Sequence, residues 1–263
     1  MSGNGRDVRR AGVVRIGVLG PLAAAGLILA SPATAAVPRC LGERATITGT
    51  ARADVIVGTQ RVDVIWASAG DDTIRGLGAN DRICGGEGDD TIYAGDDNDV
   101  VTGEDGNDRI YGGPRFDQLT GGAGDDQLYG GDEGDGLDGG MGADAIYGGE
   151  GGDIIVGGDG IDQLYGGGGA EEIQGGDGSD GVYGGDDADE ISGSAGDDEV
   201  YGGGGGDLVF GEEGGDDLYG GLGDDELFGA DGVVGNDTLD GGPHTVGDAC
   251  ASDVGDTESN CET

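Results

Sequence analysis

A right-handed parallel β-roll, an all-β solenoid (β-solenoid) with two nonapeptides per coil and about ten coils, is the fold class that three features of this 263-residue chain predict. The first is a nine-residue frame, GGxGxDxUx with U aliphatic, that runs without insertion from Gly49 to Phe228 as twenty consecutive copies. The second is the regularity of its places: the eighth is aliphatic in all twenty, and the sixth is Asp in nineteen, with Glu171 in the other. The third is a longer period, since all eight Tyr occupy ninth places spaced by 18, from Tyr93 to Tyr219, and only in odd-numbered repeats. A fixed period marks a solenoid, and the 18-residue alternation makes two nonapeptides its unit, with odd and even repeats on opposite sides.

The elements follow in chain order. Residues 1–36 read as a secretory signal peptide: Arg6, Arg9, Arg10 and Arg15 form the basic start, Ile16–Ala30 the apolar run, and Ala33-Thr34-Ala35 a small-residue cleavage site, with cleavage expected after Ala35 or Ala36. The apolar run contains Gly17, Gly20, Pro21 and Gly26 and is short for a bilayer span, so no membrane span is expected after cleavage. Residues 37–48 form a short N-terminal cap carrying Cys40, as terminal repeats of solenoids require. Residues 49–228 are the twenty repeats, and only short flanks surround them. In each, the first six residues are expected to form a glycine-rich turn and the last three a short strand, with the eighth side chain facing one way and the seventh and ninth the other. Ten coils at about 4.8 Å each would stack to roughly 48 Å. After Phe228 the frame slips: Gly229–Asp240 is a repeat with three extra residues, and Pro243 and His244 interrupt the next, so 229–263 is expected to be a C-terminal cap. Four Cys in a secreted chain allow three pairings; the expected one joins Cys40 to Cys84 and Cys250 to Cys261.

Composition excludes several classes. With 67 Gly and three Phe, the chain cannot build one large globular core. The net charge is −43, there is no Lys, and all twelve Arg lie at or before Arg115. Removal of the leader would leave 8 basic and 54 acidic residues. Such a chain repels nucleic acid and anionic membranes and attracts cations. Stacking the coils also sets the sixth-place carboxylates in columns, where neighbours about 5 Å apart repel by roughly 1–3 kcal/mol each. A divalent cation between them reverses that sign. The donors are carboxylates and carbonyls, with no His or Cys cluster, and a flexible all-oxygen cage suits Ca²⁺ better than Mg²⁺.

The frame resembles the haemolysin-type calcium-binding repeats of the RTX family over residues 49–228. The resemblance implies calcium between turns of successive coils, held by the Asp and by turn carbonyls, with the aliphatic residue in the core. Carried over residue by residue, the odd edge contributes Asp72, Asp90, Asp108, Asp126, Asp144, Asp162, Asp180, Asp198 and Asp216. On the even edge the fourth place is interrupted by Arg61, Ala79, Asp97, Arg115, Glu133 and Asp187, so that only the turns of Asp153, Glu171, Asp207 and Asp225 keep the glycine pattern. That edge is expected to bind fewer ions, with Arg61 and Arg115 placing a guanidinium where calcium would lie. Family members exported by type I secretion usually lack a cleaved leader and adjoin an effector domain, neither of which is expected here.

Three function classes remain. The leading one is a stand-alone secreted calcium-binding β-roll, folded by extracellular calcium. An enzyme is disfavoured by a single His, no GxSxG, no HExxH and no insertion that would roof a cleft. A calcium-dependent adhesin or carbohydrate-binding module, engaging a surface or matrix glycan or protein, has the Tyr ladder as its specific support, although stacked Tyr also shield a sheet.

Overall fold

The computed structural model describes residues 37–230, 236–243, 248–252 and 256–261. The expected leader and His244 therefore lie outside the described residues. Among the described residues there is no helix; two parallel 12-stranded sheets face each other, one formed from odd repeats and one from even. Neighbouring strands are offset by 18 residues throughout the repeats: Leu128 pairs with Ile146, Tyr129 with Tyr147, and on the opposite sheet Leu119 with Leu137. Two nonapeptides per coil is thus the built unit, and the result is a β-solenoid of the expected class.

The core is a single file. Ile74, Ile92, Ile110 and Leu128 from one sheet meet Ile83, Val101, Leu119 and Leu137 from the other, and none of these eighth-place side chains is more than 2% exposed. Each fully buried side chain of this size is worth about 1.5–3 kcal/mol. The period of two sends the seventh and ninth residues outward; Ile155 is buried while its neighbour Ile154 is 53% exposed.

The strands are longer than the expected three residues. From Val64–Ala69 to Asp217–Leu222 they span six, such as Gln127–Asp132 and Ile154–Asp159, covering places seven to nine and one to three of the following repeat. The strand runs on through the first-place glycine, and the second- and third-place residues pair across coils, Gly131 with Gly149 and Asp132 with Glu150, leaving a turn of only three residues. The stack also runs to about eleven turns, because Ile47–Thr48 precedes the first coil and Thr238–Asp240, Ala249–Ala251 and Thr257–Ser259 continue both sheets beyond Phe228. Asp237-x-Leu239 and Asp248-x-Cys250 keep places six and eight, so the added residues lengthen turns without losing register. Glu258, in the next eighth place, is exposed.

Both expected disulfides are formed. Cys40–Cys84 (Cα–Cα 5.6 Å) ties a small antiparallel pair, Arg39–Cys40 with Glu43–Arg44, to the outer face of the even sheet. Cys250–Cys261 (Cα–Cα 5.7 Å) joins the last coils.

The inward and outward isoleucines supply a test. Ile155→Ala should cost about 2–5 kcal/mol, and Ile154→Ala about 0.5 kcal/mol or less, measured by thermal melts at one fixed calcium concentration. Comparable losses would mean that the two faces are not as assigned.

Candidate metal centre

The chemistry sits in the turns. The sixth-place Asp ends each turn, and its side chain folds back over the first-place glycine of its own repeat: a Cβ added at Gly139 would overlap Asp144 Oδ2, and one at Gly85 would overlap Asp90 Oδ2. This explains why the first place is Gly eighteen times. The folding back buries the carboxylates, so that Asp90, Asp108, Asp126, Asp144, Asp162, Asp180 and Asp198 are at most 2% exposed.

One carboxylate oxygen is bonded and the other is not. The amide of Asp126 donates to Asp144 Oδ1 at 2.8 Å, that of Asp144 to Asp162 Oδ1 at 2.8 Å, and that of Asp72 to Asp90 Oδ1 at 2.7 Å. The same bond joins each coil to the next down the odd edge. Oδ2 of Asp72, Asp90, Asp108, Asp126, Asp144, Asp162, Asp180 and Asp198 is buried with no hydrogen-bond partner. An unsatisfied buried charged oxygen is expensive, and here it recurs in a column.

The carboxyls respond as that environment requires. Burial, opposed by the single amide bond and reinforced by neighbouring carboxylates, raises Asp90, Asp126 and Asp198 to about 7 and Asp72, Asp108, Asp144 and Asp180 to about 6. Asp162 is raised by the same burial.

The even edge repeats the arrangement more widely than the glycine pattern indicates. Asp81, Asp99, Asp117 and Asp135 are joined by the same amide bonds, at 2.7–2.8 Å, and have the same orphaned Oδ2, as do Asp153, Asp189 and Asp207. Burial takes Asp117 to about 8. The expectation that Arg115 stands in for an ion is corrected by its geometry. Its Nη1 reaches outward to Glu133 Oε1 at 2.8 Å, with both side chains more than half exposed, and Asp117 Oδ2 remains unpartnered. Arg61 is likewise exposed, and Asp63 Oδ2 is satisfied by Thr59 instead. Reaching Glu133 leaves the Arg115 charge in water, which costs less than burying it.

The fourth place does distinguish the edges. Ala79, Asp97, Arg115, Glu133 and Asp187 all adopt the left-handed φ, between 71° and 86°, that glycine adopts elsewhere. Added Cβ atoms at Gly106 and Gly142 would overlap the carbonyl oxygens of Gly88 and Gly124 one coil below. Turns with a real Cβ must therefore shift against the carbonyl beneath while preserving the carboxylate column.

Three features escaped the sequence reading. Glu171 breaks the even-edge ladder, since both its oxygens are buried without a hydrogen-bond partner and the amide of Asp153 does not reach it. Burial first, and then the adjacent Asp189, raises it to about 9. A second ladder runs the other way along the odd edge through fifth-place side chains: the amides of Asn107, Asp125 and Ala143 donate to Asp89, Asn107 and Asp125. Finally, Asp237 and Asp248 accept from the amides of Asp216 and Asp225 at 3.0 and 3.1 Å, extending both columns past the regular frame. The D-x-U spacing of 237–239 was the available signal.

The donor set fits a hard divalent cation. Among the described residues no three His, Cys, Asp or Glu side chains converge, so the donors come from carboxylates of successive coils and from the turn carbonyls beside them. Asp90 and Asp108 are close enough to raise the Asp90 pKa. Calcium, when bound, supplies the charge that lets such carboxylates stay ionised while buried.

The raised values fix the pH response without metal. A carboxyl with an ordinary value near 4 that is held at about 6 to 8 when folded binds more protons in the folded state. The stability it contributes is complete below about pH 4 and is lost as pH rises through 6 to 8. In chelator, β signal by circular dichroism should therefore grow as pH falls from 8 to about 5. Loss of β signal over that range would contradict the burial of these groups.

The family model described as RTX calcium-binding nonapeptide repeat (4 copies) matches residues 48–83, 85–114, 111–146, 147–182, 183–218 and 201–234. A search of curated proteins finds no match. With the matches covering well over half of the sequence, on the same turns that carry the carboxylate columns, the chain belongs to the family of RTX calcium-binding nonapeptide repeats.

Proposed function

We propose that this protein is a secreted calcium-binding β-roll whose coils are ordered by calcium held between successive turns. The observation that carries this reading is the column of orphaned Oδ2 atoms from Asp72 to Asp198, each buried beside a neighbouring carboxylate. As free anions they destabilise the stack; as ligands they hold it together. Export is supported by the basic and apolar leader sequence and by two disulfides, which persist in oxidising compartments. No helix among the described residues is long and apolar enough to cross a membrane.

We read the role as structural rather than catalytic, because the acidic pairs recur coil after coil in equivalent surroundings. Catalytic carboxylates need environments that push their pKa values apart, whereas those of the odd column from Asp72 to Asp198 rise together. The Tyr ladder does not favour a glycan platform. Its rings stack face to face, with centroids 4.6–5.0 Å apart and planes within 10°, and Arg75 covers the face of Tyr93 at 5.2 Å. A sugar would need a free ring face, and here the faces lie against one another from Tyr93 to Tyr219. The ladder is read as a support for the sheet.

Mature protein in chelator at pH 8 should be expanded and largely without β signal, and should gain it cooperatively on calcium addition. An identical spectrum in both conditions would overturn the proposal. Within that transition, Asp144→Ala, between glycine turns, should raise the calcium midpoint more than Asp117→Ala, whose turn carries Arg115. Equal shifts would mean that the fourth-place Cβ does not impair the even edge.

A further inference from the structure

We propose that residues 37–84 fold without a metal ion and form the template from which the ion-dependent coils grow toward the C-terminus. This rests on the calcium reading of the later coils.

The first coil closes its aspartates by itself. Thr50 donates to Asp54 Oδ2 from both its amide and its hydroxyl, at 2.7 Å each. Thr59 does the same to Asp63 Oδ2, at 2.7 and 2.9 Å. In the next coil, the last of the template, Asp72 and Asp81 have Oδ2 buried and unpartnered beneath the coil that follows, whose Asp90 and Asp99 accept from their amides, so they meet that cost only when the ion-dependent coil is added. The difference comes from the second place of the repeat. From Ser68 (φ 94°) and Leu77 (φ 91°) onward this place takes a left-handed φ, which Thr50 and Thr59 do not. A β-branched residue strongly resists that conformation. With ordinary φ, the Thr amide and hydroxyl turn back onto the carboxylate, and the coil's strand stops at Val57. Two hydrogen bonds then occupy the oxygen that later coils leave open.

Charge divides at the same boundary. Residues 37–84 hold six Arg and six carboxylates, a formal net charge of zero. From residue 85 onward there are two Arg and 48 carboxylates. The self-repulsion that opposes folding in the absence of cations therefore falls almost entirely on the later coils.

This neutral segment has its own fastenings. Cys40, Val64 and Cys84 form a small cluster separate from the main core, with Trp66 packed against it. The Cys40–Cys84 bond closes a loop of 44 residues, which restricts the unfolded chain. Arg82 pairs with Glu43, and Thr46 bonds Val64 through its amide and hydroxyl. The folded template would present strands Thr73–Gly78 and Arg82–Glu87 as edges on which the next coil can pair.

Trp66 is the sole tryptophan and reports on this segment alone. The mature protein should be compared in calcium and in chelator by Trp66 emission, acrylamide quenching and far-ultraviolet circular dichroism. In chelator most β signal should be lost, while Trp66 keeps its emission maximum and its quenching constant stays within about two-fold of the calcium form. The double variant Thr50→Val, Thr59→Val keeps the branched backbone preference without the hydroxyls, and its Trp66 emission should become calcium-dependent. Trp66 shifting to its urea-unfolded emission in chelator, with the same calcium midpoint as the β signal, would overturn the template while leaving calcium-driven folding intact. No change in either signal in chelator would overturn both. A double variant whose Trp66 ignores calcium would overturn the role given to the hydroxyls.

Discussion

A carboxylate buried with one oxygen bonded and the other bare is the constraint on which this structure depends. The fold creates the problem by its own regularity. Placing Asp at the end of every turn lets Oδ1 join one coil to the amide of the one before, but the same fold-back removes Oδ2 from water. In a low-dielectric edge with like charges above and below, the anion is costly. Protons or divalent cations can relieve it, and the family's calcium chemistry points to the second.

The rest of the architecture keeps that column in place. The file of Ile, Leu and Val fixes the distance between the sheets. The 18-residue register puts Asp over Asp and Tyr over Tyr, so one spacing serves both the carboxylate columns and the ring stack. First-place glycines leave room for the folded-back carboxylate, and fourth-place glycines let turns approach one another along the odd edge. Where glycine is replaced, at Ala79, Asp97, Arg115, Glu133 and Asp187, the chain keeps the left-handed φ at a strain that glycine avoids.

Much of this was legible in the sequence because the period is rigid. The eighth-place aliphatics announced the core, and the Tyr spacing announced the two-repeat coil and the parallel sheets. Less legible was whatever depends on the direction of a side chain. Nothing in the spacing says that Arg115 turns out to Glu133, that Thr50 and Thr59 bend back onto Asp54 and Asp63, or that the extra methylene of Glu171 takes it off the ladder. The strands were underestimated because glycine reads as turn, although it extends as readily as it bends. Asp237 and Asp248 were missed because lengthened turns broke the nine-residue frame without breaking the stack.

The central claim concerns where the ions lie, and anomalous diffraction from crystals of residues 37–263 grown in calcium addresses it most directly. The expected result is a row of peaks between successive sixth-place carboxylates, repeating at about 4.8 Å along the odd edge, beginning beside Asp72 and absent between Thr50 and Asp54. Peaks confined to exposed acidic side chains such as Glu87 and Glu150, with Oδ2 of Asp90 to Asp198 still bare, would contradict it.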